Sequence, residues 1–115
     1  MKRFLAVISL VLLLTSTAFA LSNEEYTRMK KNNADFARAD KRLSQVWAQL
    51  KKDLPKNVFK ELQDAQRVWL KDGRDHEANK YMSDGYSFVE AYTMATSDRA
   101  DELPYIAKEL SKGSR

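Results

Sequence analysis

Glu61-Leu-Gln-Asp-Ala-Gln-Arg-Val-Trp-Leu-Lys-Asp-Gly-Arg-Asp-His-Glu77 is the most informative part of this chain. Within Lys56 to Lys80, the residues Phe59, Leu62, Gln66, Trp69, Gly73 and His76 recur at spacings of three and four, which puts them on one face of a helix. Trp69 is the largest apolar group on that face, so the other elements are expected to pack around it, with Leu62 and Gln66 beside it in the core. Gly73 lies inside the pattern at a cost of about 1 kcal/mol against alanine. Either another helix backbone approaches closely there, or the helix is weak at that point.

On the N-terminal side, Ser22 with Glu25 three residues later has the form of a capping box, in which each side chain satisfies the other residue's free backbone donor. From there the seam runs Tyr26, Met29, Asn33, Phe36, Asp40, Leu43, Trp47, Leu50, Leu54, again at threes and fours. One long helix over about 23–53 is expected, ended by Pro55. Leu43 and Trp47 belong to the same core as Trp69. Asn33 and Asp40 interrupt the seam. A carboxylate facing a core needs a partner, and Arg67, Arg74 and Arg99 are the candidates; the alternative places Asp40 just off the seam in water.

On the C-terminal side, Tyr81-Met-Ser-Asp-Gly-Tyr86 breaks the period and reads as a turn built on Asp-Gly. Ser87 with Glu90 forms a second capping box. A third helix carries Val89, Tyr92, Thr96, Arg99 and Leu103, and Pro104 marks a kink or stop. A short final helix through Tyr105, Ile106 and Leu110 would close the end of the bundle, before a frayed tail from Lys112 to Arg115. Long helices with short connections make antiparallel neighbours. The expected fold is all-α, a small antiparallel bundle of three long helices plus a short C-terminal helix.

The 115 residues leave room for one domain, preceded by a leader. Lys2 and Arg3, the apolar run Phe4 to Leu14, and Ala18 and Ala20 compose a secretory signal with cleavage after Ala20. The run is too short to span a bilayer, so no integral membrane segment is expected after cleavage; the alternative is an N-terminal anchor helix. Residues 1–20 are thus read as signal peptide and 21–115 as a single helical domain. The chain has 20 Lys and Arg against 16 Asp and Glu, and without Lys2 and Arg3 the balance is 18 to 16, near +2. The signs are mixed, and no basic run interleaved with aromatics suggests nucleic acid. With no cysteine, neither a disulfide nor a lipidated cysteine is available, and packing must hold the fold.

Catalytic chemistry finds little footing. There is one histidine, no cysteine and no serine in a nucleophile-elbow setting. His76 with Asp72, Asp75 and Glu77 could be drawn as a metal cluster, but only Asp72 and His76 share a helix face. Neither a metal nor a cofactor is expected, and no enzymatic activity. What remains is recognition by a surface. Tyr81, Met82, Tyr86 and Phe88 gather in and after the one real loop, either as a contact surface or as a cap over the bundle end.

The pattern Ala39-Asp40-x-x-Leu43-Ser44-x-x-Trp47-x-x-Leu50, followed by Leu62-x-x-Ala65-Gln66-Arg67-x-Trp69-Leu70-x-x-x-Arg74-Asp75-x-Glu77, resembles the N-terminal domain of the lysozyme-inhibitor LprI-like family, small exported helical proteins of bacteria. Thr96-x-x-Arg99 with Leu103 is similar to that family's closing motif, and the likeness covers about residues 34–111. The resemblance implies a periplasmic or secreted binding protein whose named activity is inhibition of lysozyme, with a lysozyme or another muramidase as the protein partner. It further implies two cysteines, at positions that here hold Ala78 and Ala91, and an aromatic where Gly73 stands. The motif residues read as structural, with Trp69 as core and Asp40, Arg67, Arg74, Asp75 and Arg99 as interhelical ion pairs. Animal lysozymes are strongly cationic, so a chain near +2 would suit one best if Asp72, Asp75, Asp98, Asp101 and Glu102 shared a face. A different class of function is a structural or stress-related periplasmic domain that contacts the anionic envelope through its lysines.

Overall fold

A computed structural model of the chain describes residues 21–113; the expected signal peptide and the last two residues of the tail lie outside them. The described chain is helical throughout. α1 spans Asn23–Asn32, α2 Ala34–Asp53 and α3 Lys56–Val68. A π turn, Trp69–Gly73, leads directly into α4, Arg74–Ser83, and α5 runs Phe88–Gly113. The all-α bundle expected from periodicity is the fold, with its elements cut differently.

The long first helix is two helices. Asn33 takes an extended conformation, closes α1 with its backbone N–H on the Met29 carbonyl, and starts α2 with its side chain accepting from Phe36 N–H at 2.9 Å. An asparagine is well suited to both tasks because its short amide replaces a missing backbone partner. α1 then folds back, and Tyr26 packs edge-on against Phe36 with ring centroids 5.7 Å apart. The short helix of the bundle is therefore N-terminal rather than C-terminal. Both capping boxes form, Ser22 with Glu25 and Ser87 with Glu90.

The stop at Pro104 does not occur. α5 continues through it to Gly113, and Leu103 and Ala107 on either side are buried with Phe59 and Leu62. A proline removes one helical hydrogen bond and disfavours helix by about 3 kcal/mol. Here the apolar seam on both sides of an exposed Pro104 outweighs that cost.

Contacts along the helices give the topology. Phe36 shares a cluster with Ala91 and Ala95, Arg42 meets Ser97 and Asp101, and Leu50 lies with Ala107 and Leu110, so α2 and α5 run in the same direction. Gln66 meets Arg99 and Asp75 meets Tyr92, so the helix from α3 through α4 runs against α5. The order is up, down, up, with α5 packed on both partners and only slight direct contact between α2 and α3. Trp47 and Phe59, with centroids 4.9 Å apart, bridge the two helices near their joint. Between α4 and α5 the chain reverses at Asp84-Gly85, where Gly85 has φ +101, a left-handed conformation open to glycine at little cost.

The π turn shifts the helical phase. Arg74 N–H donates to the Trp69 carbonyl five residues back, one residue more than α-helical winding uses. Continued α-helical spacing would bury His76; instead His76 is exposed and Ala78 is fully buried. The nearest neighbour of Gly73 is Trp69 of its own helix, not another helix backbone, and regular α winding is interrupted there. A Cβ there would stand 2.8 Å from Cδ1 of Trp69, so the glycine makes room for the indole of its own helix.

Candidate functional site

The slight contact between α2 and α3 leaves an open groove of about 450 Å³, lined by Asp40, Leu43, Ser44 and Trp47 from α2 and by Gln63, Gln66, Arg67 and Leu70 from α3 and the π turn. It adjoins a recess of about 320 Å³ that shares Asp40, Leu43 and Leu70 and extends over Trp69, Arg74 and Thr96 to Leu21 and Tyr26. Successive residues point in different directions around the helix axis. Trp69 points inward and is 7% exposed, while the next residue, Leu70, is 46% exposed on the groove wall. Single-turn π segments occur frequently at functional sites.

Beneath the groove lies a polar framework. Arg99, 8% exposed, donates from Nε to Gln66 Oε1 at 2.9 Å and from Nη1 to Glu102 at 3.3 Å. Its guanidinium stacks over Trp69, 5.3 Å from the ring centroid. Asp40 accepts from the Tyr26 hydroxyl at 2.6 Å and lies 3.4 Å from Lys30 Nζ. Asp75 accepts from the Tyr92 hydroxyl at 2.6 Å and from Leu21 N–H at 3.1 Å. Burial, then the hydrogen bond to Asp40, pushes the Tyr26 phenol up to about 12. Burial first and Asp75 second raise Tyr92 further. Arg74 lines the recess with its buried Nε unpartnered within the described chain.

The residues singled out for interhelical ion pairs therefore fall into different roles. Asp40 is held by a tyrosine and a lysine of α1, and none of Arg67, Arg74 or Arg99 pairs with it, because α1 folds back over it first. Arg67 is exposed and pairs with Asp64 on its own helix at 3.0 Å. Asp75 is bound by a hydroxyl and a backbone amide. Arg99 reaches across helices, to an amide and an indole rather than to an acid. Leu62 is fully buried and Gln66 nearly so, whereas Leu43 and Trp47 are half-buried along the groove. Tyr81, Met82 and Phe88 pack partly buried against the cluster around Phe36 and Tyr92. Tyr81 also donates its hydroxyl to Asp98. Tyr86, 42% exposed, stands edge-on against Tyr81 at 5.7 Å. Three of the acids are engaged by neighbours: Asp98 is bonded to Tyr81, Asp101 to Arg42 and Glu102 to Arg99.

Nearly every groove residue belongs to the patterned segments around Trp47 and Trp69. A family model described as lysozyme inhibitor LprI matches residues 21–103.

The chain belongs to the lysozyme inhibitor LprI family.

Searches of curated proteins and of solved structures returned no match. The LprI description is that of an inhibitor and not of a catalyst. Among the described residues of this LprI chain no three His, Cys, Asp or Glu are placed to hold a metal ion, and no helix is long and apolar enough to cross a membrane. Ala78 and Ala91, where the resemblance implies cysteines, are both fully buried in one cluster on facing helices. Leu70 and Ser44, which sequence periodicity left outside the core, emerge as groove wall. Their appearance in the pattern without any core duty was the available signal.

Proposed function

We propose that this LprI chain is an exported, non-enzymatic protein of the periplasm or the secreted fraction that binds and inhibits a lysozyme or another muramidase, and that it docks through the groove between α2 and α3. What supports this most is the mismatch between the family pattern and the needs of the fold. Arg67 and Leu70 lie in the pattern, yet the core requires neither. The Arg67–Asp64 pair is largely solvent-exposed and is worth at most about 1 kcal/mol, so a partner's carboxylate can displace Asp64 at little cost. Muramidase clefts carry two catalytic carboxylates, which suit an arginine beside an exposed leucine. Arginine with an apolar anchor is a common centre of binding energy. Because Asp98, Asp101 and Glu102 are already engaged within the chain, contact through this groove does not depend on a negative face.

The test is a titration of residues 21–115 into lysozymes of several types, following lysis and binding at low and physiological salt. Dose-dependent inhibition near one-to-one stoichiometry is expected. Arg67→Ala and Leu70→Asp should each weaken it at least about tenfold, the scale of a 1.4 kcal/mol loss, with melting unchanged because both sites are exposed. No inhibition by the folded wild type discards the muramidase partner; inhibition untouched by both variants discards the groove.

A second reading, a structural or stress-related domain contacting the anionic envelope, is favoured by one observation. Lys51, Lys52, Lys56, Lys60 and Lys108 are exposed at the end where α2 stops, α3 starts and α5 finishes, and none forms an ion pair among the described residues. Near an anionic surface each lysine contributes about 1 kcal/mol. Binding to anionic vesicles that fades with added salt would favour it, and absence of binding at low salt would dismiss it.

A further inference from the structure

Leu21 is half-buried and tethered at its backbone nitrogen. Its N–H donates to Asp75 Oδ1 at 3.1 Å, joining positions 54 residues apart. Its side chain packs against the cluster that contains Phe36, Ala78 and Tyr92. The same Oδ1 accepts from the Tyr92 hydroxyl, so one carboxylate oxygen links the start of the described chain, α4 and α5. The sequence places leader cleavage between Ala20 and Leu21, and the family match begins at Leu21. The nitrogen that cleavage would free is the one bound to Asp75.

Taking the processing site that the proposed export implies, we infer that Asp75 is a binding site for an α-ammonium group and that its ligand is the chain's own N-terminus, formed by cleavage after Ala20. Hydrolysis by a leader peptidase adds one water across the Ala20–Leu21 bond; Ala20 leaves with the new carboxylate, and the Leu21 nitrogen becomes an ammonium. A neutral amide with one donor turns into a cation with three. A charge-assisted bond to a carboxylate is roughly twice as strong as a neutral one. Asp75 is the group in contact with the Leu21 nitrogen, and it also holds Tyr92 of α5. Around the recess beside Leu21 lie Arg74 from α4, Tyr26 from α1 and Asp40 from α2, the last paired with Lys30, while Glu25 of α1 acts on Tyr92. With Lys30 on Asp40, the carboxylates Asp75, Glu25 and Asp40 stand against two cations, Arg74 and Lys30, and it is the direct contact with Asp75 that favours the charged amine. Processing thereby docks α1 onto α4 more firmly than the precursor can, and α1 in turn covers Asp40.

The processed chain with a free Leu21 amine is compared with the same chain acetylated at that amine, which needs no mutation. In the free form, NMR titration should show the Leu21 amine about one pH unit above its ordinary ~7.7–8.0. A raised amine contributes stability that is complete below the unfolded value and lost as pH rises through the folded one. The free form should therefore melt higher than the acetylated form at pH 6, with the gap closing above pH ~9. Asp75→Asn should return the amine to its ordinary value and remove the gap, whereas Asp72→Asn, on the exposed side of the π turn, should leave both intact. An ordinary amine pKa in the folded protein, or equal melting of the two forms, overturns the site. N-terminal sequencing of the exported protein keeps the two failures distinct: a start other than Leu21 removes the proposed ligand, while a Leu21 start with an ordinary amine refutes Asp75 as its receptor.

Discussion

The guanidinium of Arg99 sits over the indole of Trp69, 5.3 Å from the ring centroid, while its Nε is spent on Gln66. Two helices are thereby joined by one planar cation that satisfies a buried amide and a ring face together.

Replacing either partner should be costly and the two costs should not add. Trp69→Ala is expected to lose about 3–5 kcal/mol. Arg99→Lys keeps the charge but not the fork, leaving Gln66 Oε1 unmet at about 1–3 kcal/mol. The double variant should fall short of the sum, because the residues share a contact. Denaturant unfolding of the four proteins measures all three. Full additivity would mean that the stacking carries no energy.

Gly73→Ala should destabilise the protein although the backbone there, φ −63 and ψ −41, is ordinary helix. Alanine gains about 1 kcal/mol in helix propensity, but its Cβ would meet a buried ring at 2.8 Å. Overpacking of this kind costs about 1–3 kcal/mol or more, so a net loss is expected. A lower melting temperature and altered tryptophan fluorescence would register it; a stabilised variant would show that the π turn yields.

Alkali should unfold the protein through its tyrosines. Tyr26 is pushed up to about 12 by burial and by the Asp40 carboxylate it donates to. Tyr81 rises to about 12, chiefly through its bond to Asp98. Unfolded tyrosines ionise near pH ~10. The contribution is therefore whole below pH 10 and drains away as pH climbs to 12. Phenolate absorbance should appear later in the native protein than in denaturant. Tyr26→Phe should make the loss of stability over that window shallower.

The double variant Ala78→Cys with Ala91→Cys should cross-link on oxidation, since both alanines are fully buried in one cluster of α4 and α5. A loop of that length is worth about 3 kcal/mol. Comparing melting with and without reductant tests this, and failure to cross-link in the folded state would separate the two positions.

Much of the bundle was legible because its seams keep helical spacing, but two of its discontinuities were hidden by that same regularity. The seam from Tyr26 to Leu54 passes Asn33 unbroken because α1 folds back onto the core that α2 faces, so apolar spacing is the same for one helix or two. Asn33 itself carried the sign, being a capping residue in an apolar position. The phase shift after Trp69 was invisible, since nothing local separates a π turn from an α turn around a glycine. Pro104 misled in the opposite direction: local geometry argued for a stop, and burial of Leu103 and Ala107 overrode it. The groove could not be read at all, because it arises from how far α2 and α3 diverge, which is a property of the assembled bundle. Asp40 illustrates the same limit, its need for a partner being clear and the identity of that partner depending on the fold of α1.

The π turn also bears on what changes of length this protein can absorb. The five-residue π turn is geometrically one residue inserted into a continuous helix, shifting the sequence register beyond it by one while α3 and α4 keep the faces they turn to α5. Deleting one residue near Lys71 or Asp72 would let the backbone heal into regular winding with α3 and α4 still meeting α5 through the same faces. Leu70 precedes the deletion and follows the phase of α3, so its place on the groove wall would survive. Over these five positions, the chain can lose a residue and keep both its shape and the wall it displays.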